Sequence, residues 1–246
     1  MRLAKQRSVD ADFEGRSGRT CPMGAGPLNE AQALVDNLAP HVADRRVLDA
    51  IANVPRHCFV PAELRPEAWE NTSLRIGEGQ TISQPLVVAR MCELLELTGD
   101  ETVLDIGTGS GYHAAVLAFL ARRVVSIERH ATLSEAAASS LHAAGVENVE
   151  LVIGDGSAGY APCAPYEAIN VAAGTREVPA ELERQLATGG RMVIPVGRGR
   201  QRLMVIRRTD GELRRDTLDR VRFVPLVVGA EPARRAPDTA PRRPDG

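Results

Sequence analysis

The stretch Val103-Leu-Asp-Ile-Gly-Thr-Gly-Ser-Gly111 constrains this chain more than any other. A short apolar run stops at alternating glycines, and an Ala/Leu-rich segment of helical character, 112–121, follows. Glycines at such a junction permit a tight turn and let a ligand approach the backbone. The segment therefore reads as a strand feeding a binding loop that opens a helix. The pattern continues in alternation, with strands expected at 124–127, 149–153, 168–172 and 191–196 and helices at 133–144 and 179–186. Two late strands, 203–208 and 221–228, are expected to meet across a turn near Asp210-Gly211 as an antiparallel edge. This β-α-β-α order implies an α/β fold: a doubly wound, mostly parallel sheet with helices on both faces.

Composition fits that architecture. Of the 246 residues 43% are hydrophobic but only 3% aromatic, so the core must be built from Ala, Val, Leu and Ile, as parallel sheets are. The scarcity of aromatics argues against base-stacking nucleic-acid modules. A net charge of −2 supplies no basic field for nucleic acid or an anionic membrane. No apolar run reaches the length of about 18 residues that spans a bilayer. Cys21, Cys58, Cys92 and Cys163 form no C-x-x-C pair and fit neither a zinc site nor a disulfide framework, so free thiols in a reducing cytosol are expected. These features describe a cytoplasmic protein, read as a monomer, with no metal, nucleic-acid or membrane partner.

Residues 1–27 are polar and aperiodic and are expected to be a disordered leader; 231–246, alternating Pro, Ala, Arg and Asp, are expected to be a disordered tail. Between them, 28–230 reads as one domain. Its first part, 28–98, holds two short helices divided at Pro40, an extended segment bracketed by Pro55 and Pro61, and a helix over 86–97; the ligand-binding core follows over 99–230.

The ligand can be read from charge. Glu128 follows Gly107 by 21 positions, the spacing of a carboxylate that binds a ribose hydroxyl. Asp155, between Gly154 and Gly156, ends the third strand and is placed to reach an adenine amino group. A dinucleotide calls for G-x-G-x-x-G, but position 112 is Tyr. Asp105 would also repel a pyrophosphate, by about 3 kcal/mol at roughly 5 Å. No Gly-Lys-Ser/Thr follows for a phosphate loop. S-adenosylmethionine brings a cationic amino group and a sulfonium, for which Asp105 and Glu128 serve as anchors. A nicotinamide-dependent oxidoreductase is the remote alternative.

A longer pattern resembles a known family. Val54-Pro-Arg-His-Cys-Phe-Val-Pro61, Ile76-Gly-Glu-Gly-Gln-Thr-Ile-Ser-Gln-Pro85, Leu104–Tyr112, Ser126-Ile-Glu-Arg129, Gly154-Asp-Gly156, Gln185–Gly197 and Val221-Arg-Phe-Val-Pro-Leu226 resemble, in order and spacing, the protein-L-isoaspartate O-methyltransferases. The likeness spans roughly 30–228. It implies the Rossmann-like fold of S-adenosylmethionine-dependent methyltransferases, with an N-terminal helical lid. The implied activity is methylation of the α-carboxylate of L-isoaspartyl residues in damaged proteins and peptides, which starts repair through a succinimide. S-adenosyl-L-methionine is the implied donor and S-adenosyl-L-homocysteine the product. The resemblance assigns Ser83 as the hydroxyl that holds the substrate carboxylate. It assigns Ile76, Gly77, Gln80 and Thr81 to the cofactor, beside Asp105, Gly107, Gly109, Gly111, Glu128, Arg129, Asp155 and Gly156. An aspartyl-type carboxylate, with a pKa near 4, is already ionised at neutral pH, so His57 and His113 have no proton to remove. Ser83 could equally cap the helix that begins near Pro85. Three departures stand out: Arg75 where Pro is common, His113 where Gln is usual, and the loop Gly174-Thr175-Arg176, expected to face substrate. The altered 174–176 loop leaves open a relative that methylates an aspartate of one ribosomal peptide.

Overall fold

A computed structural model describes residues 25–229 and 234–236. Most of the expected leader and tail lie outside these residues. An eight-stranded sheet forms the centre, in the order β10-β5-β4-β3-β6-β7-β8-β9. β3 (Thr102–Ile106), β4 (Arg123–Glu128), β5 (Val149–Ile153), β6 (Tyr166–Val171) and β7 (Leu186–Val196) run parallel. β8 (Gln201–Thr209) and β9 (Glu212–Val221) extend the sheet antiparallel. The chain winds outward from β3 to β5, then returns past β3 to β6, so the winding direction reverses beside β3.

Alternation along the strands divides the core. Val103, Val124, Ala168 and Val193 face α1 (Ala25–Leu38), α2 (Arg45–Asn53), α3 (Pro85–Leu95) and α4 (Tyr112–Leu120). Leu104, Ile106, Val125, Ile127, Ile169 and Ile194 face the other side. The covering is uneven. The second face carries α6 (Ala180–Gln185) and short 3-10 turns, while α5 (Ala131–Ala143) lies beside α4 on the first. Gly111, at φ +90°, lets those two helices close up, because a Cβ there would sit 3.3 Å from Ala137 Cβ and 3.4 Å from Leu141 Cγ. Gly111→Ala is expected to cost about 2 kcal/mol through strained backbone and overpacking. Thermal melting checks this, and an unchanged midpoint would contradict it.

Several boundaries differ from the sequence expectation. The segment at Pro55 is a 3-10 turn, Arg56–Phe59, closed by Cys58 N–H donating to Pro55 O at 2.8 Å. Proline's fixed φ suits the start of such a turn as well as an extended chain. α1 begins at Ala25, inside the expected leader. The glycines Gly189-Gly190, between the expected helix and strand, lie within β7 beside a register shift against β6, where glycine accommodates the irregularity. The last long strand is 212–221 and not 221–228, because Asp210-Gly211, both at positive φ, make a two-residue turn and pairing resumes at once with Thr209 opposite Glu212. The tail is not wholly unstructured: β10 (Arg234–Arg235) pairs antiparallel with Val152 and Ile153, and Arg235 ion-pairs with Glu150. An unpaired edge strand offers backbone partners that polar composition alone does not reveal. Cys92 and Cys163 are free, but Cys58 is disulfide-bonded, which corrects the free-thiol expectation for that residue. Pairing depends on separation in the fold, not on sequence spacing.

An element absent from the sequence reading is the hairpin β1 (Leu74–Gly77) to β2 (Gln80–Ile82). Its turn residues Glu78 and Gly79 have φ +47° and +67°, the left-handed geometry of a two-residue hairpin turn. Glu78 anchors the tip by accepting from Thr132 Oγ1 at 2.8 Å. The hairpin is thereby held over the glycine loop.

Candidate active site

The site lies at the carboxyl ends of β3 to β6, where an open α/β sheet leaves a crevice as its winding reverses. Backbone N–H groups of Gly107 and Thr108 donate to Ile127 O at 2.8 and 3.2 Å, drawing the loop onto β4. Gly107 and Gly109 have φ +93° and +54°, which favours glycine at both. Glu128 completes the turn: Oε2 accepts from Gly109 N–H at 2.9 Å and Oε1 from His130 N–H at 3.0 Å. Its carboxylate, otherwise buried, opens onto a cavity also lined by Gln80, Thr81, Gly107, Gly109 and Arg129. Ile106, Ile127, Gly154 and Gly156 form one wall and Val224–Val227 another. Ile76 approaches from the hairpin, its Cδ1 lying 3.4 Å from where a Gly109 Cβ would be.

A smaller cavity adjoins the first, sharing Thr81, Gly107, Gly109 and Ala172 and adding Ser83, Thr108, Ser110 and His113. The capping role considered for Ser83 does not apply, since the N-cap of α3 is Gln84 and no side chain caps it. Ser83 Oγ makes no hydrogen bond among the described residues.

Other residues singled out from sequence lie elsewhere. Asp105 is fully buried and lines neither cavity. Oδ2 accepts from Ser126 Oγ and Oδ1 from Asn170 Nδ2, each at 2.7 Å. Burial pushes the Asp105 carboxyl above its usual range, and these two hydrogen bonds pull against that shift. Asp105, the penultimate residue of β3, points to the face covered by α3 and α4. Asp155 Oδ1 accepts from Ser157 N–H and Oγ, and Oδ2 from Gly229 N–H at 2.7 Å. It caps a short turn and ties down the chain after Val228, and it does not line the cavity. Gly111 faces α5, and Gly77 serves the hairpin bend at φ +108°. Gly174 and Thr175 are taken up in backbone pairing with Val224, Leu226 and Pro195, leaving Arg176 exposed.

Sequence reasoning missed Ser126, Asn170, Thr108 and the role of His113. Asn170 Nδ2 lies 3.3 Å from His113 Nδ1, and His113 Nε2 lies 3.5 Å from Cys92 Sγ. Thr108 Oγ1 and Ser126 Oγ are 2.6 Å apart. This buried chain runs from α3 to the glycine loop. Burial pushes His113 down to about 3, so its ring is neutral.

The donor set fits a cationic nucleoside. A carboxylate stands where a ribose diol would be held, and apolar side chains line the cavity where a flat base would lie. Sheet order and site together define the S-adenosylmethionine-dependent methyltransferase class. Residues 29–231 match the family described as Protein-L-isoaspartate(D-aspartate) O-methyltransferase (PCMT). The chain is 49% identical to the Protein-L-isoaspartate O-methyltransferase of Roseiflexus castenholzii, over 82% of this chain and 93% of that one. It is 48% identical to the enzyme of the same name from Roseiflexus sp., with the same coverage. A solved protein-L-isoaspartate O-methyltransferase superposes with a TM-score of 0.72 at 30% identity, covering 79% of this chain; this chain spans 65% of that structure's length. A Plasmodium falciparum protein of the same description, in complex with S-adenosyl-L-homocysteine, shares the fold at a TM-score of 0.70 and 24% identity, covering 80% of this chain and 98% of its own. The chain belongs to the protein-L-isoaspartate O-methyltransferase family. Its activity is methyl transfer from S-adenosyl-L-methionine to L-isoaspartyl residues of proteins, the first step of their repair. Neither the dedicated peptide methylase nor the oxidoreductase is supported. No helix among the described residues is long and apolar enough to cross a membrane.

Proposed function

We propose that the two adjoining cavities divide the reaction, Glu128 holding the nucleoside and Ser83 the substrate carboxylate. The observation that carries this reading is Ser83 itself: a half-buried hydroxyl without a hydrogen-bond partner among the described residues, on the wall of a cavity that shares Thr81 and Gly107 with the cavity at Glu128. When bound, S-adenosyl-L-methionine supplies a methyl group on a positively charged sulfur. The chain's own task is alignment. The substrate carboxylate is already nucleophilic, and His113, neutral and engaged with Asn170, removes no proton. One hydroxyl donor orients the carboxylate without quenching it as an ion pair would. Gln80 and Thr81, at the edge of the hairpin, screen the cavity from water.

Residues 28–230 form the proposed catalytic domain. We read a monomer as the working unit and the cytoplasm as its location. Ser83→Ala is expected to lower kcat/KM for an isoaspartyl peptide by about 30-fold, the worth of a hydrogen bond to a charged group. Affinity for S-adenosylhomocysteine should stay unchanged. Steady-state kinetics with calorimetry measure both, and full activity in the variant removes the assignment.

A further inference from the structure

Arg56 belongs to the segment Val54–Pro61, which no role discussed so far explains. Its side chain is 0% exposed, yet among the described residues it has no ion pair. A buried, unpaired guanidinium is costly unless its donors are satisfied. Here backbone carbonyls satisfy both terminal nitrogens, while Nε–H has no hydrogen-bond partner among the described residues. Nη1 donates to Ala68 O and to Glu70 O; Nη2 donates to Thr72 O and Ser83 O, both at 3.0 Å. The guanidinium also lies over the ring of Tyr112, 5.4 Å from its centroid, and Tyr112 is among the residues lining the Ser83 cavity. Tyr112 in turn packs edge-on against Phe59.

The arrangement ties three pieces of chain to one planar group: the turn at 56–59, the segment 68–72 that leads into the hairpin, and Ser83. Ser83 follows the last residue of β2 and precedes α3, so no regular backbone pairing fixes it. Its carbonyl is held by Arg56. The other side of the guanidinium rests on the first residue of α4, the helix the glycine loop opens. The same side chain thus sets the distance between the substrate segment and the cofactor loop.

We propose that Arg56 is a positioning residue for methyl transfer, holding the Thr81–Ser83 segment in register with the glycine loop through the Ser83 carbonyl. This rests on the reading that the Ser83 cavity receives the isoaspartyl carboxylate. In-line transfer tolerates little displacement, and a misplacement of about 1 Å costs about 100-fold. A fork is needed because only planar, spread donors reach carbonyls on both sides; an ammonium keeps the charge but not the geometry.

Arg56→Lys and Arg56→Gln test the inference, each assayed for KM and kcat with an isoaspartyl peptide, for S-adenosylhomocysteine affinity and for melting temperature. Both variants are expected to raise the peptide KM and lower kcat, with a combined loss of about tenfold or more, while S-adenosylhomocysteine binds within about threefold of wild type. A merely structural role would lower the melting temperature and the folded fraction. It would leave KM unchanged, since KM does not depend on how much of the enzyme is folded. An unchanged KM in whichever variant folds overturns the proposal. Ser83→Ala run alongside separates the two readings. If that variant is silent while the Arg56 variants raise KM, the segment is positioned but its hydroxyl is not the carboxylate donor. If Ser83→Ala is impaired and the Arg56 variants are normal in KM, the hydroxyl role stands and the positioning role falls.

Discussion

Glu128→Gln should weaken S-adenosylhomocysteine binding by about 100-fold, which is roughly 2.7 kcal/mol at about 1.36 kcal/mol per decade. The carboxylate accepts from two backbone donors, Gly109 N–H and His130 N–H, one on each oxygen. A glutamine can accept from only one of them; its amide nitrogen must then face the other N–H. The loop is released where it meets the ligand, and one acceptor for the ribose diol is lost as well. S-adenosylhomocysteine is the right probe because it lacks the sulfonium charge. Its affinity reports the ribose contact and loop geometry, not attraction between Glu128 and the positive sulfur. Calorimetry at fixed salt measures the change. A dissociation constant within about threefold of wild type would show that the carboxylate at the end of β4 is not the nucleoside anchor.

Glu128 was legible because strand-end position and spacing from the glycine loop are properties of one dimension. Asp105 was legible as a residue that matters, but its direction was not. Which way a mid-strand side chain points follows from the two-residue period, and which face holds helices follows from the winding of the whole sheet. The register puts Asp105 opposite Ser126 on one side and Asn170 on the other. A signal was present: each of the apolar runs 103–106, 124–127 and 168–171 carries one polar residue at the equivalent place. Reading the runs as aligned would have predicted a polar row across three strands and not a ligand contact. The hydrogen bonds of Asp155 were hidden for a different reason. Its partners, Ser157 and Gly229, include one brought from 74 positions away by a segment whose path does not follow the strand pattern. The hairpin at 74–82 escaped because three- and four-residue strands carry too little periodicity, although Glu78-Gly79 is a recognisable turn pair.

Asp105→Leu, by contrast with Glu128→Gln, should act on the fold. It leaves Ser126 Oγ and Asn170 Nδ2 without the acceptor that now serves both, in a site with no access for water. The expected loss is about 3 kcal/mol, or about 6–12 °C in melting temperature for a domain of this size. Asp105→Asn is the informative companion. Its Oδ1 can still accept from Asn170, and its new amide can donate to Ser126 Oγ, whose own proton then turns to Thr108 Oγ1 at 2.6 Å. Both groups that Asp105 now serves keep a partner, so this variant should fold. It should also change how stability depends on pH. Burial holds the folded-state pKa of Asp105 above the usual 3.8, so the unfolded chain ionises first as pH rises. This group therefore removes stability from the wild type progressively from about pH 3.8 up to its raised folded value, and the loss is complete above it. Asparagine carries no such penalty. The melting temperature of Asp105→Asn relative to wild type should accordingly climb with pH across that window and level off beyond it. A difference that stays flat would mean that folding leaves the Asp105 carboxyl at its ordinary pKa, and one that falls as pH rises would mean that the folded enzyme stabilises the Asp105 anion; either outcome overturns the burial argument.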